Sequence, residues 1–205
     1  VFLKMKNYFL LFGFTFFLFV ESSYPSYFPL KKTVSSEEGR EPTIIYAPKK
    51  ISKNDKLALI VSLHGYSSNP RQQRFVLPLN YLSSKRKTIV AVPSGIKDKK
   101  GKRFWSGLNC CDGHADKAPD DVSFLRSVIT NLKKEYPIDE NKVFIAGFSN
   151  GGFMAYRMAC EASDLISGIL SFAGSGPMES QNCEPIKPLK VLHIHGTNDK
   201  TILFE

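Results

Sequence analysis

The chain has 205 residues, 42% of them hydrophobic and 23% charged, enough to bury one sizeable core and too few for a second. Its formal net charge of +9 comes largely from lysines, paired at Lys31-Lys32 and Lys49-Lys50 and clustered at Lys97, Lys99, Lys100, Lys102 and Arg103. No nucleic-acid motif or aromatic interleaving accompanies this charge, so no nucleic-acid partner is expected. The cluster is read as a solvated basic loop, with attraction to an acidic polymer or anionic surface as the functional alternative.

Lys4 and Lys6 precede an apolar stretch from Tyr8 to Val20, followed by Glu21-Ser22-Ser23. A basic start, a short apolar run and small residues describe a secretory signal peptide over 1–22, with Met5 as the natural start. An uncleaved anchor is the alternative. Val1 and the apolar run into Glu205 are both read as cut ends. Residues 23–42 form an N-terminal arm without clear periodicity, and 43–205 form the domain. The expected location is secreted, extracellular or periplasmic, with no stable membrane association once the signal is removed.

Thr43 to Tyr46 reads as a first strand. Leu57 to Leu63 is a continuous apolar run, as expected of a strand covered on both faces. It ends in His64-Gly65-Tyr66. Pro70 to Leu82 has helical spacing interrupted by Pro78, which predicts a kinked or split helix. Thr88 to Pro93 is the next buried strand. The long connection from Ser94 to Pro119 holds the lysine cluster, Trp105, Cys110, Cys111 and His114, and a loop of that length is seldom idle. Trp105 is a candidate lining of a substrate cleft, with a packed aromatic under the loop as the equal alternative.

Asp120-Asp121-Val122 opens a helix with one apolar stripe, and the two carboxylates are read as capping groups. Pro137 to Asn141 is a turn into the strand Val143 to Phe148. Gly152 to Cys160 is helical, Ile166 to Ala173 is a strand, and Lys190 to His195 is the last readable strand before Gly196-Thr197-Asn198-Asp199. Strands alternating with helices predict an α/β fold with a mainly parallel sheet and helices on both faces. The four cysteines suggest two disulfides in an exported chain. A bridge between neighbours Cys110 and Cys111 would be strained, so each is expected to reach separately to Cys160 or Cys183. No Cys/His spacing suits a metal, and neither metal nor cofactor is expected.

The chemistry centres on Gly147-Phe148-Ser149-Asn150-Gly151-Gly152. A serine lifted onto a sharp strand-to-helix turn leaves no room for side chains two positions before and after it, and Gly147 and Gly151 meet that demand. This is the nucleophile elbow of an α/β-hydrolase, which predicts Ser149 as nucleophile. The backbone N–H groups of Asn150 and, after the earlier strand, Tyr66 would hold the developing oxyanion. His64, directly after a buried strand, is read as a structural histidine. A serine needs a base and a carboxylate to orient that base. Asp199, in a tight turn beyond a later strand, fits the carboxylate. His64, His114, His193 and His195 all precede it, whereas the fold's order is Ser, acid, His. His195 shares a strand end with Asp199 and would reach Ser149 poorly, so the base is expected beyond residue 205, the chain ending before the last strand and helix of the fold.

His64-Gly65-Tyr66, Trp105 with Cys110-Cys111, Asp120-Asp121-Val122-x-Phe124, the elbow, Met158-Ala159-Cys160-Glu161 and His195-Gly196-Thr197-x-Asp199 together resemble the secreted polyhydroxybutyrate depolymerase and feruloyl or acetylxylan esterase family. The resemblance spans roughly residues 43 to 199. It implies an exported serine carboxylesterase acting on polyester or plant-polysaccharide-linked esters (hydroxyalkanoate, feruloyl or acetyl), with Ser149, Asp199, Tyr66 and Asn150 in the roles above. Its partner would be an ester substrate, polymeric ones included. The family's distal His has no counterpart in this sequence, which implies that these residues alone are inactive. Two rival readings are a prolyl-oligopeptidase-like serine peptidase and a catalytically silent binding module that uses the basic loop and Trp105.

Overall fold

The computed structural model describes residues 30–34, 39–107, 110–111, 118–177 and 183–204. The segment read as a signal peptide, and His114, lie outside the described residues. In chain order the elements are β1 (Leu30–Val34), β2 (Thr43–Ala47), β3 (Leu57–Leu63), α1 (Pro70–Val76), a 3-10 turn (Leu79–Tyr81), α2 (Leu82–Lys85), β4 (Thr88–Val92), the short strands β5 (Ile96–Lys97) and β6 (Arg103–Phe104), α3 (Asp121–Glu135), β7 (Ile138–Phe148), α4 (Asn150–Glu161), β8 (Gly168–Phe172) and β9 (Lys190–Ile194).

Seven of the strands form one sheet in the order β1-β2-β4-β3-β7-β8-β9. From β4 to β9 every neighbour is parallel, while β1 and β2 add an antiparallel edge. The expected mainly parallel α/β sheet is what the chain adopts. Its helices lie on both faces because β3 is apolar but for Ser62 and its side chains alternate between faces. Leu57, Leu59, Val61 and Leu63 join the core cluster with Val122, Leu125 and Ile129 of α3 and Met154 and Met158 of α4. Ile60 turns the other way, toward Ile44, Val90 and Leu79.

Local chemistry sets the helix ends. The Asn69 side chain accepts from the amides of Arg71 and Gln72, Pro70 occupies the first turn, and Leu77 ends α1 in extended backbone before Pro78. The expected split at Pro78 is therefore present, with a 3-10 turn and α2 after it. Asp120 caps α3 by accepting the Ser123 amide at 3.0 Å, and that contact, with the hydroxyl of Ser123, holds its carboxyl below the ordinary range.

Three local features differ from the sequence reading. The arm before residue 43 contains β1, which pairs with β2 from Leu30 opposite Ala47 to Val34 opposite Thr43. Five residues are too few for a period to declare itself. The turn expected over 137–141 is an irregularity inside β7, where Leu57 pairs with Ile138 but Leu59 with Val143. The surplus residues bulge outward, with the Asn141 amide on Asp139 Oδ1 at 3.0 Å.

The expected separate pairing of the cysteines is also overturned. Cys110 is bonded to Cys111, and Cys160 to Cys183. The backbone at Cys111 is left-handed (φ 72°), a local turn that admits the neighbour pairing. Cys160, in the last turn of α4, has Cys183 with its Cα only 4.7 Å away, which leaves neither as a partner for the pair near α4's start. The Cys160–Cys183 bond closes a loop with a sequence separation of 23. Replacing both residues by serine is expected to lower the unfolding free energy by about 3 kcal/mol from loop entropy, read from urea denaturation. An unchanged midpoint would show that other contacts already close this loop.

Candidate active site

The parallel register brings the sequence-predicted residues to one sheet edge. Leu63 pairs with Gly147, Phe148 with Phe172, and Phe172 with Ile194. The chain therefore leaves β3, β7, β8 and β9 at the same level, carrying Gly65-Tyr66, Ser149, Ala173-Gly174 and Gly196 to Asp199 outward together.

Ser149 sits at φ 51°, ψ −121°, between β7 and α4. A left-handed backbone at a non-glycine residue is strained, and surrounding structure must hold it. The Ser149 amide donates to the Phe172 carbonyl at 2.8 Å, and its own carbonyl accepts from Gly152 and Phe153 at 2.7 and 3.1 Å. The crowding argued from the motif is visible at each glycine. A Cβ on Gly147 would lie 2.0 Å from the Gly151 carbonyl oxygen, one on Gly151 2.4 Å from the Leu63 oxygen, and one on Gly152 2.7 Å from Ser171 Oγ.

Asn150 opens α4, so its backbone N–H is among those that have no partner within the helix. Its side chain is buried and clamps a segment distant in sequence. Oδ1 accepts from the Trp105 amide at 2.7 Å, and Nδ2 donates to the Trp105 carbonyl at 2.8 Å and to Cys110 Sγ at 3.6 Å. Trp105 is fully buried, stacked with Phe124 at 6.5 Å between ring centroids, and donates through Nε1 to the His64 carbonyl at 3.0 Å. The expectation that Trp105 lines a substrate cleft is therefore wrong. Its backbone is held from the helix start and its indole N–H must find a buried acceptor, so it lies beneath the site as scaffold.

The loop after β3 is held by the same neighbours. His64 Nε2 accepts from the Gly95 amide at 3.0 Å, which leaves Nδ1 to donate to the Gly65 carbonyl at 2.8 Å. Both ring nitrogens are committed and the imidazole is neutral, with burial pushing its pKa down to about 4. The Ser67 amide donates to the Arg103 carbonyl at 2.8 Å. The Tyr66 hydroxyl donates to Asp98 Oδ2 at 2.6 Å.

Asp199 Oδ1 accepts the amides of Thr201 and Ile202 at 2.8 and 3.0 Å. The Ile202 amide foremost, then that of Thr201, holds its carboxyl below the ordinary carboxylate value. His195 does not turn toward Ser149. Its Nε2 donates to the Ile202 carbonyl at 2.8 Å and lies 3.6 Å from Asp199 Oδ2, and its Nδ1 faces His193 Nε2 at 3.3 Å. His193 Nδ1 in turn meets the Tyr156 hydroxyl at 2.9 Å. Every ring nitrogen of His64, His193 and His195 thus has a partner other than Ser149.

The phospholipase/carboxylesterase family profile matches residues 49–205. The chain belongs to this α/β-hydrolase family. It is 27% identical over 161 residues to a bifunctional acetylxylan esterase/xylanase of Neocallimastix patriciarum, covering 78% of this chain and 22% of that protein. It is 28% identical over 119 residues to feruloyl esterase B of Piromyces equi, covering 57% of this chain and 21% of that protein. The chain thus spans about a fifth of the length of these two curated relatives. Among solved structures, a thermostable esterase superposes with a TM-score of 0.65 at 20% identity over 85% of this chain and 48% of its own. An acetyl xylan esterase from Aspergillus awamori does so with 0.56 at 18% identity over 72% and 53%.

Two supports of this candidate site escaped the sequence reading. Asp121 is more than a capping group: it is fully buried, takes the Ser106 amide at 2.7 Å and pairs with Arg40 at 2.7 Å. Burial pushes its carboxyl up, while Arg40 and the Ser106 amide draw it back. The Arg40 guanidinium also lies 4.0 Å from the Phe124 ring centroid. The Asn150 clamp on Trp105 is the other. Both join residues far apart in the chain, and only the doubled acid Asp120-Asp121 hinted at either.

Gly151→Ala would drive a Cβ into the Leu63 carbonyl. It is expected to cost more than about 3 kcal/mol or to prevent folding, visible as loss of the cooperative thermal transition. The buried neutral His64 adds a pH dependence. Its folded pKa of about 4 lies below the ordinary 6.5, so its stabilisation is complete above pH 6.5 and declines as pH falls toward 4. The decline is about 3 kcal/mol in total. Urea midpoints of the wild type and His64→Gln across that window check this, with the smaller slope expected in the variant.

Proposed function

We propose that this chain is part of an exported serine carboxylesterase that cleaves esters through an acyl-enzyme. The observation that carries this reading is Ser149 on a left-handed strand-to-helix turn, at the same sheet edge as the loops bearing Tyr66 and Asp199. Ser149 Oγ would attack the ester carbonyl as a histidine takes its proton, and the backbone N–H groups of Tyr66 and Asn150 would stabilise the resulting oxyanion. Collapse of the tetrahedral intermediate expels the alcohol, which leaves with that proton. Water, activated by the same base, then hydrolyses the acyl-serine and releases the acid. Asp199, ionised and fixed by two amides, would orient the base.

We place that base outside residues 1–205, because the fold's order puts it after Asp199, where this sequence holds no histidine, and the described His64, His193 and His195 are engaged elsewhere. The substrates proposed are feruloyl or acetyl esters on plant polysaccharides, with polyhydroxyalkanoates as the further ester class. The activities of the acetylxylan and feruloyl esterase relatives support the first. Two disulfides suit an oxidising compartment, in keeping with export. No helix among the described residues is long and apolar enough to cross a membrane.

Hydrolysis of p-nitrophenyl acetate by the full-length protein is expected to fall about 10⁴-fold or more in Ser149→Ala. A serine-reactive phosphonate should label residues 1–205 alone only at background rate. Enzyme-like labelling of these residues would mean that one of the histidines present acts as base.

A further inference from the structure

The lysine cluster has no part in this mechanism, and its structure is more specific than a solvated loop. Lys97 to Arg103 carries five cations and one carboxylate, that of Asp98. Lys97, Lys99, Lys100 and Lys102 are exposed, whereas Asp98 is 7% exposed. The carboxylate is turned inward. Asp98 Oδ1 accepts the amides of Lys100 and Lys102, both at 2.8 Å, and Oδ2 accepts the Tyr66 hydroxyl. The Asp98 amide donates to the Lys102 carbonyl and the Gly101 amide to that of Asp98, at 2.8 and 2.9 Å, with Gly101 at φ 73° making the turn. The β5–β6 hairpin is therefore an ordered tip whose one acid holds it together from inside while Lys97, Lys100 and Lys102 are exposed. Arg103 is set apart at the base by Glu41, 3.1 Å away.

This tip adjoins the candidate site. Lys102 Nζ lies 5.8 Å from the centroid of the Tyr66 ring, and Tyr66 supplies one proposed oxyanion donor. We propose that the β5–β6 hairpin binds a carboxylate-bearing polysaccharide and leads that polymer toward Ser149. Cations spread along an exposed hairpin suit a linear polyanion with repeated charges better than a single small anion, and they add a screened attraction that raises the local concentration of chain-borne esters. The choice of a polysaccharide rests on the esterase reading above; the charge argument does not.

The test is binding of polygalacturonate, which carries no ester, to the full-length protein, followed by affinity electrophoresis and titration. Binding is expected to weaken steeply with salt. It should be about tenfold weaker at low salt in Lys97→Gln/Lys100→Gln/Lys102→Gln, and unchanged in Lys133→Gln/Lys134→Gln on α3. If the triple variant does not keep the wild-type melting transition, the wild-type salt slope and the single variant Lys100→Gln carry the test. Absence of binding, equal loss in the α3 variant, or equally tight binding of double-stranded DNA through the same lysines would overturn the proposal. Because the probe has no scissile bond, these outcomes are separate from turnover of p-nitrophenyl acetate, whose loss would instead count against the esterase.

Discussion

The close approach of backbone to backbone at the turn after β7 is the constraint on which the rest depends. A Cβ at Gly147 would lie 2.0 Å from the Gly151 carbonyl oxygen and one at Gly151 2.4 Å from the Leu63 oxygen, so α4 can start only where three elements nearly touch. That contact fixes the height of α4 against β3 and β7. It also holds Ser149 in a conformation that costs of order 1–3 kcal/mol and that a free chain would abandon. The strain is tolerable because the amide and carbonyl of Ser149 are both bonded and the helix behind it is buried along Phe153, Met154 and Met158.

From this fixed point a polar frame spreads under the sheet edge. Asn150 grips Trp105, Trp105 reaches the His64 carbonyl, and His64 takes the Gly95 amide. Each buried polar group finds a partner on a different segment, so the frame is worth more as a specification of geometry than as a sum of bonds. Asp121 and Arg40 extend it to α3 and the segment before β2. The loops that would meet a substrate thereby rest on groups with no freedom to move, which is what a site needs if its donors are to be aligned before the reaction starts.

The parts of this arrangement legible in the sequence are those set by short-range chemistry. The apolar runs of β3 and β4, the proline split after α1, the capping Asp120 and the glycine spacing around Ser149 each act within a few residues, and each is found where expected. His64 as a structural residue follows from its position at the end of a buried strand. Trp105 could not be placed in this way, because whether an aromatic lies in a cleft or beneath it depends on Asn150, which is distant in the chain. The cysteine pairing failed for a related reason: Cys160 and Cys183 are neighbours only once α4 has docked, and the turn at Cys111 leaves no mark in composition. The β1 strand is recognisable only beside β2.

The strand order has a consequence for how the chain is made. β3 lies at the centre of the sheet between β4 and β7, yet β7 is separated from it by both α1–α2 and the whole hairpin segment. During synthesis one edge of the most apolar strand stays unpaired until β7 has emerged, and β7 then waits in turn for β8. Open, fully apolar edges are where chains associate with one another. A partly made molecule of this kind gains from being kept extended until its later strands are available, as happens to a polypeptide threaded through a membrane before it folds. The topology that gathers the loops of the candidate site at one edge therefore favours delayed folding over folding in step with translation.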